Sequence, residues 1–232
     1  MKKKNKYFSQ KEVRDLLISV LILGFVFSFY MEVFIADYLS SFIVNWLTAS
    51  LLVGIAFVGH ELAHKFVAIR YDLKAEYVLW PQGVLLSLAV FFLTGGRFIF
   101  AALGFVSIST FYPVRLGYKF VSLTLKESGI ISAAGPAINL IIALISAMIA
   151  PFLPIAWLSV NLNLILAIFN LIPFPPLDGS KVFIWSRIAW STLIGVSCAL
   201  LFLLPTVSWV IAVMISLIVL VALVLYAYSL NL

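Results

Sequence analysis

The residues that could do chemistry are few, and most of them lie in one short motif. The chain has only two histidines, and both belong to the pattern H-E-x-x-H at residues 60–64. On a helix, His60 and His64 lie one turn apart on the same face, so both imidazoles can reach a single zinc ion. Glu61 lies beside them and can accept a proton from a water molecule that the metal activates. The motif therefore predicts a hydrolytic zinc site.

A third zinc ligand has to be sought among the carboxylates. Hydrolytic zinc usually has three protein ligands, yet the chain has no third histidine and its one cysteine, Cys198, is remote from the motif. Asp178 is the candidate, because it follows a predicted apolar segment and is predicted on the same side of the membrane as the motif. The alternative is that Asp178 caps the next helix. Five other carboxylates are predicted to be solvated in charged flanks or on the far side of a membrane: Glu12, Asp15, Asp72, Glu32 and Asp37.

Prolines mark the segment that leads to Asp178. It reads N-L-I-P-F-P-P-L-D-G over residues 170–179, and three prolines within four residues stop a helix and leave its carbonyls without partners. A broken helix at membrane depth is tolerated only where protein or water satisfies those groups. We therefore expect a polar cavity beside this break.

The composition is that of a membrane protein. Of the 232 residues, 64% are hydrophobic and only 10% are charged, which a soluble fold of this size could not cover with polar surface. The net charge of +6 is not gathered into a basic stripe with interleaved aromatic residues, so no nucleic-acid partner is predicted. The lipid bilayer is the predicted surrounding, and no pattern in the sequence indicates an oligomeric state.

The elements that must position these residues are predicted to be all-α. About six transmembrane helices are expected, together with a small β-hairpin or re-entrant segment at the membrane edge. Residues 84–94 are too short for a comfortable span, and residues 105–125, rich in β-branched and aromatic residues, predict the hairpin. A seventh span within 83–106 is the rival topology. The six predicted spans are 16–36, 42–66, 129–150, 156–173, 183–204 and 207–229.

The distribution of cations favours six spans. All 15 Lys and Arg residues lie in the segments 1–15, 65–128 and 174–187, which share one side if the spans number six. By the positive-inside rule, both termini are then cytoplasmic and the active site lies nearer that side. We expect a single membrane domain over residues 1–232, with a catalytic core at about 42–180 and flanking helices at about 16–36 and 183–229.

Two long motifs together resemble one protein family. H-E-x-x-H combined with N-x-x-P-x-P-x-L-D-G resembles the site-2 proteases, intramembrane zinc metalloproteases, in their archaeal and bacterial six-helix form. Residues 135–139, G-P-A-I-N, resemble the G-P-x-x-N element of that family. The resemblance implies that one zinc ion per chain is bound by His60, His64 and Asp178, and that Glu61 is the catalytic base.

The resemblance also implies a substrate and further site residues. The expected substrate is a membrane-embedded protein, cleaved within or near a transmembrane segment, and the expected location is the cell membrane of a prokaryote. Asn170 is expected near the site, where it holds substrate or the developing oxyanion. Asn139 is a second candidate for that role, with an interhelical hydrogen bond as its alternative.

Two other functional classes stay open from the residues alone. A membrane zinc peptidase of the prenyl-protein protease type would take its third ligand from a glutamate on a second helix. The proline-rich L-D-G segment argues against this class. A zinc-binding transporter or sensor would not be an enzyme, but transporters often show paired halves with matching breaks, and this chain does not.

Overall fold

The computed structural model describes residues 8–31, 38–96, 100–114 and 117–229, so Glu32 and Asp37 lie outside the described residues. The described part is mostly helical. Its helices are α1 (Gln10–Met31), α2 (Tyr38–Val53), α3 (Gly59–Arg70), α4 (Pro81–Leu93), α5 (Leu125–Ile149), α6 (Ala156–Asn170), α7 (Asp178–Trp185), α8 (Arg187–Leu203) and α9 (Trp209–Ser229). Its strands are β1 (Lys74–Leu79), β2 (Gly104–Ser109), β3 (Phe111–Val114) and β4 (Gly117–Phe120).

Three helical runs in the described residues are long and apolar enough to cross a membrane: Phe42–Arg70, Leu125–Ile149 and Arg187–Thr206. The first of them joins α2 to α3 without a break, through a π-helical turn at Gly54–Val58. The predicted span at 156–173 corresponds to the shorter apolar helix α6. The fold is thus confirmed as mostly helical, with three apolar helices of spanning length among the described residues, and the count of six spans stays a prediction.

The predicted span at 183–204 begins later than the hydropathy indicates. Ser186 is extended, with φ −153° and ψ 108°, and this separates the eight-residue helix α7 from α8. The Ser186 hydroxyl accepts a hydrogen bond from the backbone N–H of Ala189 at 3.2 Å and so caps α8. A hydropathy average over an apolar run does not detect a serine cap within it.

The segment between α3 and α5 contains two small antiparallel sheets. β3 and β4 form the predicted hairpin, with Phe111 opposite Phe120. The prediction was wrong for Gly104–Ser109, which does not pair with the end of the hairpin segment. It pairs with β1 instead, with Lys74 opposite Ser109 and Leu79 opposite Gly104. Between these two partners lies α4, a 13-residue apolar helix shorter than a span, as expected for residues 84–94.

The α5 helix lies at the centre of the fold, packed against α3, α6 and α7. It begins with a capping box, in which Thr124 Oγ1 accepts from the Glu127 N–H at 3.2 Å and the Glu127 carboxylate accepts from the Thr124 N–H at 2.8 Å. On one side of it, Leu140 and Leu144 are fully buried in an apolar cluster shared with α6, α8 and α9. The α5 helix also packs directly against α3, the helix that carries the H-E-x-x-H motif.

Candidate metal centre

The two histidines of the motif converge on one point. His60 and His64 lie on successive turns of α3, both buried, with their Nε2 atoms 3.0 Å apart. The Asp178 Oδ2 atom lies 3.2 Å from His60 Nε2 and 3.0 Å from His64 Nε2, although Asp178 is 118 residues away from His60 in the chain. The structure thus brings together all three residues that the sequence predicted as zinc ligands.

The three residues fit a zinc ion. Two imidazole nitrogens and one carboxylate oxygen are a ligand set of catalytic zinc, and neighbouring ligand atoms around a tetrahedral zinc lie about 3.3 Å apart. The 3.0–3.2 Å separations among His60, His64 and Asp178 are close to that value. Asp178 binds a metal ion as the carboxylate, and each imidazole binds it through an unprotonated nitrogen.

The far nitrogen of each ring is held by a partner on α5. His64 Nδ1 lies 2.7 Å from the carbonyl oxygen of Ile131, which can only accept, so Nδ1 carries the proton and, in the neutral ring, Nε2 carries the lone pair. His60 Nδ1 lies 2.6 Å from Asn139 Oδ1. Such outer partners orient the imidazoles that bind a metal. Nothing in the sequence pattern could have singled out the backbone carbonyl of Ile131.

Asp178 reaches the imidazoles because the chain breaks before it. It is the first residue of α7, whose N-cap is Leu177 without any side-chain capping bond. The capping alternative therefore does not describe its contacts. A Cβ atom on Gly179 would lie 2.6 Å from the carbonyl oxygen of Ile172, so glycine there lets α7 approach the end of α6 closely.

A second glycine lets α5 pass beside the imidazole pair. A Cβ atom built on Gly135 would lie 2.6 Å from His60 Nε2 and closer still to His64 Nε2. No side chain larger than hydrogen fits there without moving a ring. The G-P-A-I-N element therefore provides both this close approach and, one turn later, the Asn139 partner of His60.

The remaining predicted residues divide into two groups. Glu61 is buried and lines the same cavity as the imidazoles and Asp178, and so does Asn170, whose Nδ2 donates to the Leu166 carbonyl at 3.0 Å. Asn139 is fully buried, and its amide bonds His60 on α3 and Asn163 on α6. These contacts favour the interhelical alternative for Asn139 over contact with substrate.

Two carboxylates expected in solvated flanks are buried. Glu12 is 1% exposed because it pairs with Lys65, and Asp15 is 3% exposed beside Arg14. Both lie on the first turns of α1, which pack against β1. Asp72 is exposed, as expected.

Comparison with curated proteins places the chain in a family. It is 34% identical over 191 residues to MJ0611 of Methanocaldococcus jannaschii, whose name describes a candidate zinc metalloprotease, and the match covers 79% of this chain and 89% of that protein. The chain belongs to the site-2 protease family. The predictions of a zinc metalloprotease and of zinc as its metal are therefore confirmed.

Two further relatives of this site-2 protease carry the same kind of name. YwhC of Bacillus subtilis is 29% identical over 145 residues, covering 55% of this chain and 64% of that protein. Rip3 of Mycobacterium tuberculosis is 27% identical over 192 residues, covering 78% of this chain and 43% of that protein. No protein-family profile and no solved structure matches the chain.

Proposed function

We propose that this zinc metalloprotease cleaves membrane-embedded protein substrates within or near their transmembrane segments, at a site inside the bilayer. The observation that carries this proposal is the position of the cluster between two helices of spanning length. His60 and His64 lie in the run Phe42–Arg70, and their outer partners lie on Leu125–Ile149. Ionisable residues inside such helices cost free energy, so their presence indicates a functional site.

The proposed topology has six spans and one membrane domain, with the catalytic core at about 42–180. Both termini are cytoplasmic and the enzyme resides in the cell membrane of a prokaryote. The distribution of cations supports this orientation, because the helical run with the motif ends at Arg70 and is followed by Lys74. The motif lies in the last third of that run, so the active site is nearer the cytoplasmic surface.

The roles of the site residues follow from their chemistry and positions. His60, His64 and Asp178 hold the zinc ion, which when bound supplies Lewis-acid activation of the attacking water and of the scissile carbonyl. Glu61 accepts the proton of the attacking water and passes it to the leaving amine. Asn170, at the end of α6 on the cavity wall, donates a hydrogen bond to the substrate or to the developing oxyanion.

A helical substrate has to unwind before it can be cleaved, because its carbonyls are occupied in its own hydrogen bonds. Strand β2 lines the cavity and offers an edge for the unwound segment. The Trp80 N–H donates to the Leu103 carbonyl at 2.8 Å, and with the observed register this turns the N–H groups of Val106 and Ile108 away from β1. An extended substrate pairs with these outward groups as an added strand.

A proline on that edge tests the strand pairing. Val106→Pro removes an outward N–H but no bond of the β1–β2 ladder, while Val106→Ala keeps the N–H and serves as the matched control. We expect Val106→Pro to lower the cleavage of a membrane substrate well below that of Val106→Ala, at equal zinc content. Equal cleavage by the two variants would exclude pairing at this edge.

The proposed function is tested by locating the cleaved bond. The full chain is reconstituted in liposomes with a labelled single-span protein, and the products are identified by mass spectrometry. We expect cleavage inside or next to the apolar segment, lost on adding a zinc chelator and regained on adding zinc. Cleavage confined to water-soluble peptides, with every membrane substrate left intact, would contradict the proposal.

A further inference from the structure

A chain of buried amides runs from His60 into the interface between α5 and α6. Asn139 Oδ1 lies 2.6 Å from His60 Nδ1, and Asn139 Nδ2 lies 3.0 Å from the Ala56 carbonyl and 2.8 Å from Asn163 Oδ1. Asn139 and Asn163 are both fully buried. The Asn139 amide thus has both of its N–H groups and its oxygen occupied inside the protein.

The orientation of the Asn139 amide is settled by its neighbours. The Ala56 carbonyl can only accept a hydrogen bond, so the amide atom that faces it must be the nitrogen. The oxygen of Asn139 then faces His60, and it too can only accept. His60 Nδ1 must therefore be a protonated nitrogen, and in the neutral ring the lone pair then lies on Nε2, the atom that faces His64 and Asp178.

Asn163 enforces the same orientation from the other side. Its Nδ2 donates to the Ser159 carbonyl at 2.8 Å, which again can only accept, so its Oδ1 is the atom turned toward Asn139. Ala56 lies in the π-helical turn just before α3, and Ser159 lies on α6. Two backbone carbonyls on different elements therefore fix both amides in one arrangement.

We propose that Asn139, locked by the Ala56 carbonyl and by Asn163, is a positioning residue that fixes the His60 tautomer with its Nε2 lone pair toward zinc. This inference rests on the ligand role of His60 in the proposed function. His64 obtains the same tautomer from the Ile131 carbonyl, which no side-chain replacement removes. The two histidines thus provide an internal comparison, because only the partner of His60 is a side chain that mutation can remove.

Zinc affinity separates positioning from packing. The affinity of the purified full chain is measured by competition with a chromogenic chelator. Asn139→Leu deletes the acceptor of His60, and we expect zinc to bind about 10- to 100-fold more weakly, as for other outer partners of metal ligands. Asn139→Asp keeps an oxygen toward His60 Nδ1, but its second oxygen meets two acceptors, the Ala56 carbonyl and Asn163 Oδ1, so we expect an affinity between those of Asn139→Leu and wild type.

Ser146→Ala is the matched control. It removes the buried hydrogen bond between Ser146 and Ser159, 2.9 Å long, and leaves both amides their bonds to the Ala56 and Ser159 carbonyls. We expect a lower thermal midpoint with unchanged zinc affinity. If Ser146→Ala weakens zinc as much as Asn139→Leu does, general loosening of the α5–α6 interface explains the effect and the proposal fails. Where Asn139→Leu does not fold, Asn139→Ala deletes the same acceptor.

A spectroscopic readout uses the fact that the chain has only two histidines. In zinc-loaded protein labelled with ¹⁵N at histidine, we expect both Nδ1–H protons to exchange slowly. Asn139→Leu should accelerate exchange at His60 and leave His64 unchanged. Equal responses at the two rings, or wild-type zinc affinity in Asn139→Leu, would overturn the proposal. A wild-type chain that binds no zinc would instead refute the ligand assignment under the proposed function.

Discussion

Helix α3 carries two buried polar arrangements that begin at adjacent residues and differ in kind. His64 points to His60 and Asp178, while Lys65 points to Glu12, with its Nζ 2.6 Å from Glu12 Oε1 and 2.5 Å from Oε2. Lys65 and Glu12 are each 1% exposed, as deeply buried as the imidazoles. Burial of polar groups alone therefore does not distinguish a site from a structural contact.

The difference lies in how the groups are satisfied. In the Lys65 arrangement a cation meets an anion, Glu12 also accepts from the Tyr77 N–H at 2.9 Å, and the ammonium lies 4.3 Å from the centre of the Phe8 ring. The metal centre gathers two nitrogen lone pairs and a carboxylate at one point. Three acceptors at such close range repel one another unless a cation joins them. The ion pair is complete within the chain, whereas the histidine cluster requires a cation.

The largest effect is expected from Glu61→Gln, which sharpens the comparison by removing a proton acceptor without removing a ligand. We expect the rate of peptide hydrolysis to fall by about 10²- to 10⁴-fold, the usual contribution of a general base. Zinc content should remain that of wild type, because Glu61 is not among the three clustered residues. Metal analysis and cleavage are measured on the same sample. Full activity would remove Glu61 from the role of base.

Lys65→Met should give the next largest effect, on stability and not on metal. It leaves the Glu12 carboxylate buried and unpaired, which costs about 3–5 kcal/mol. Adding Glu12→Gln, which keeps an acceptor for the Tyr77 N–H, should recover most of the lost thermal midpoint, because removing both charges of a buried pair is often neutral. Loss of zinc from a folded Lys65→Met protein would break the distinction between the two arrangements.

A smaller effect is expected from Gly135→Ala. The added methyl group lies against both imidazoles, and strain of about 1–3 kcal/mol should appear as zinc affinity weakened by roughly 10- to 100-fold. Gly195→Ala on α8 is the matched control, since a Cβ there meets no atom within 4 Å. Chelator competition compares the two variants. Equal zinc affinity in both would show that α5 adjusts to the methyl group without disturbing the rings.

The candidate site was largely predictable because its residue types are rare in this chain. With two histidines in total, the H-E-x-x-H pattern is conspicuous, and the prolines before Asp178 mark the break that positions it. The contacts that hold the site were not predictable. The Ile131 carbonyl carries no sequence signal, although Asn163 was detectable as a polar residue in an apolar helix.

The parts of the fold that escaped prediction depend on contacts between distant segments. Glu12 reads as a solvated charge until α1 packs against β1 and brings it to Lys65, 53 residues away. Strand β1 and its pairing with β2 across α4 follow from the tertiary arrangement and not from local pattern. Hydropathy located the helices but not their breaks, as at Ser186.

Metal analysis of the purified wild-type and Asp178→Ala proteins tests the central claim most directly. If the carboxylate completes a zinc site with the two imidazoles, the wild-type chain should hold one zinc ion and Asp178→Ala should lose most of it while remaining folded. The claim would be contradicted if folded Asp178→Ala protein retained one zinc per chain with wild-type affinity.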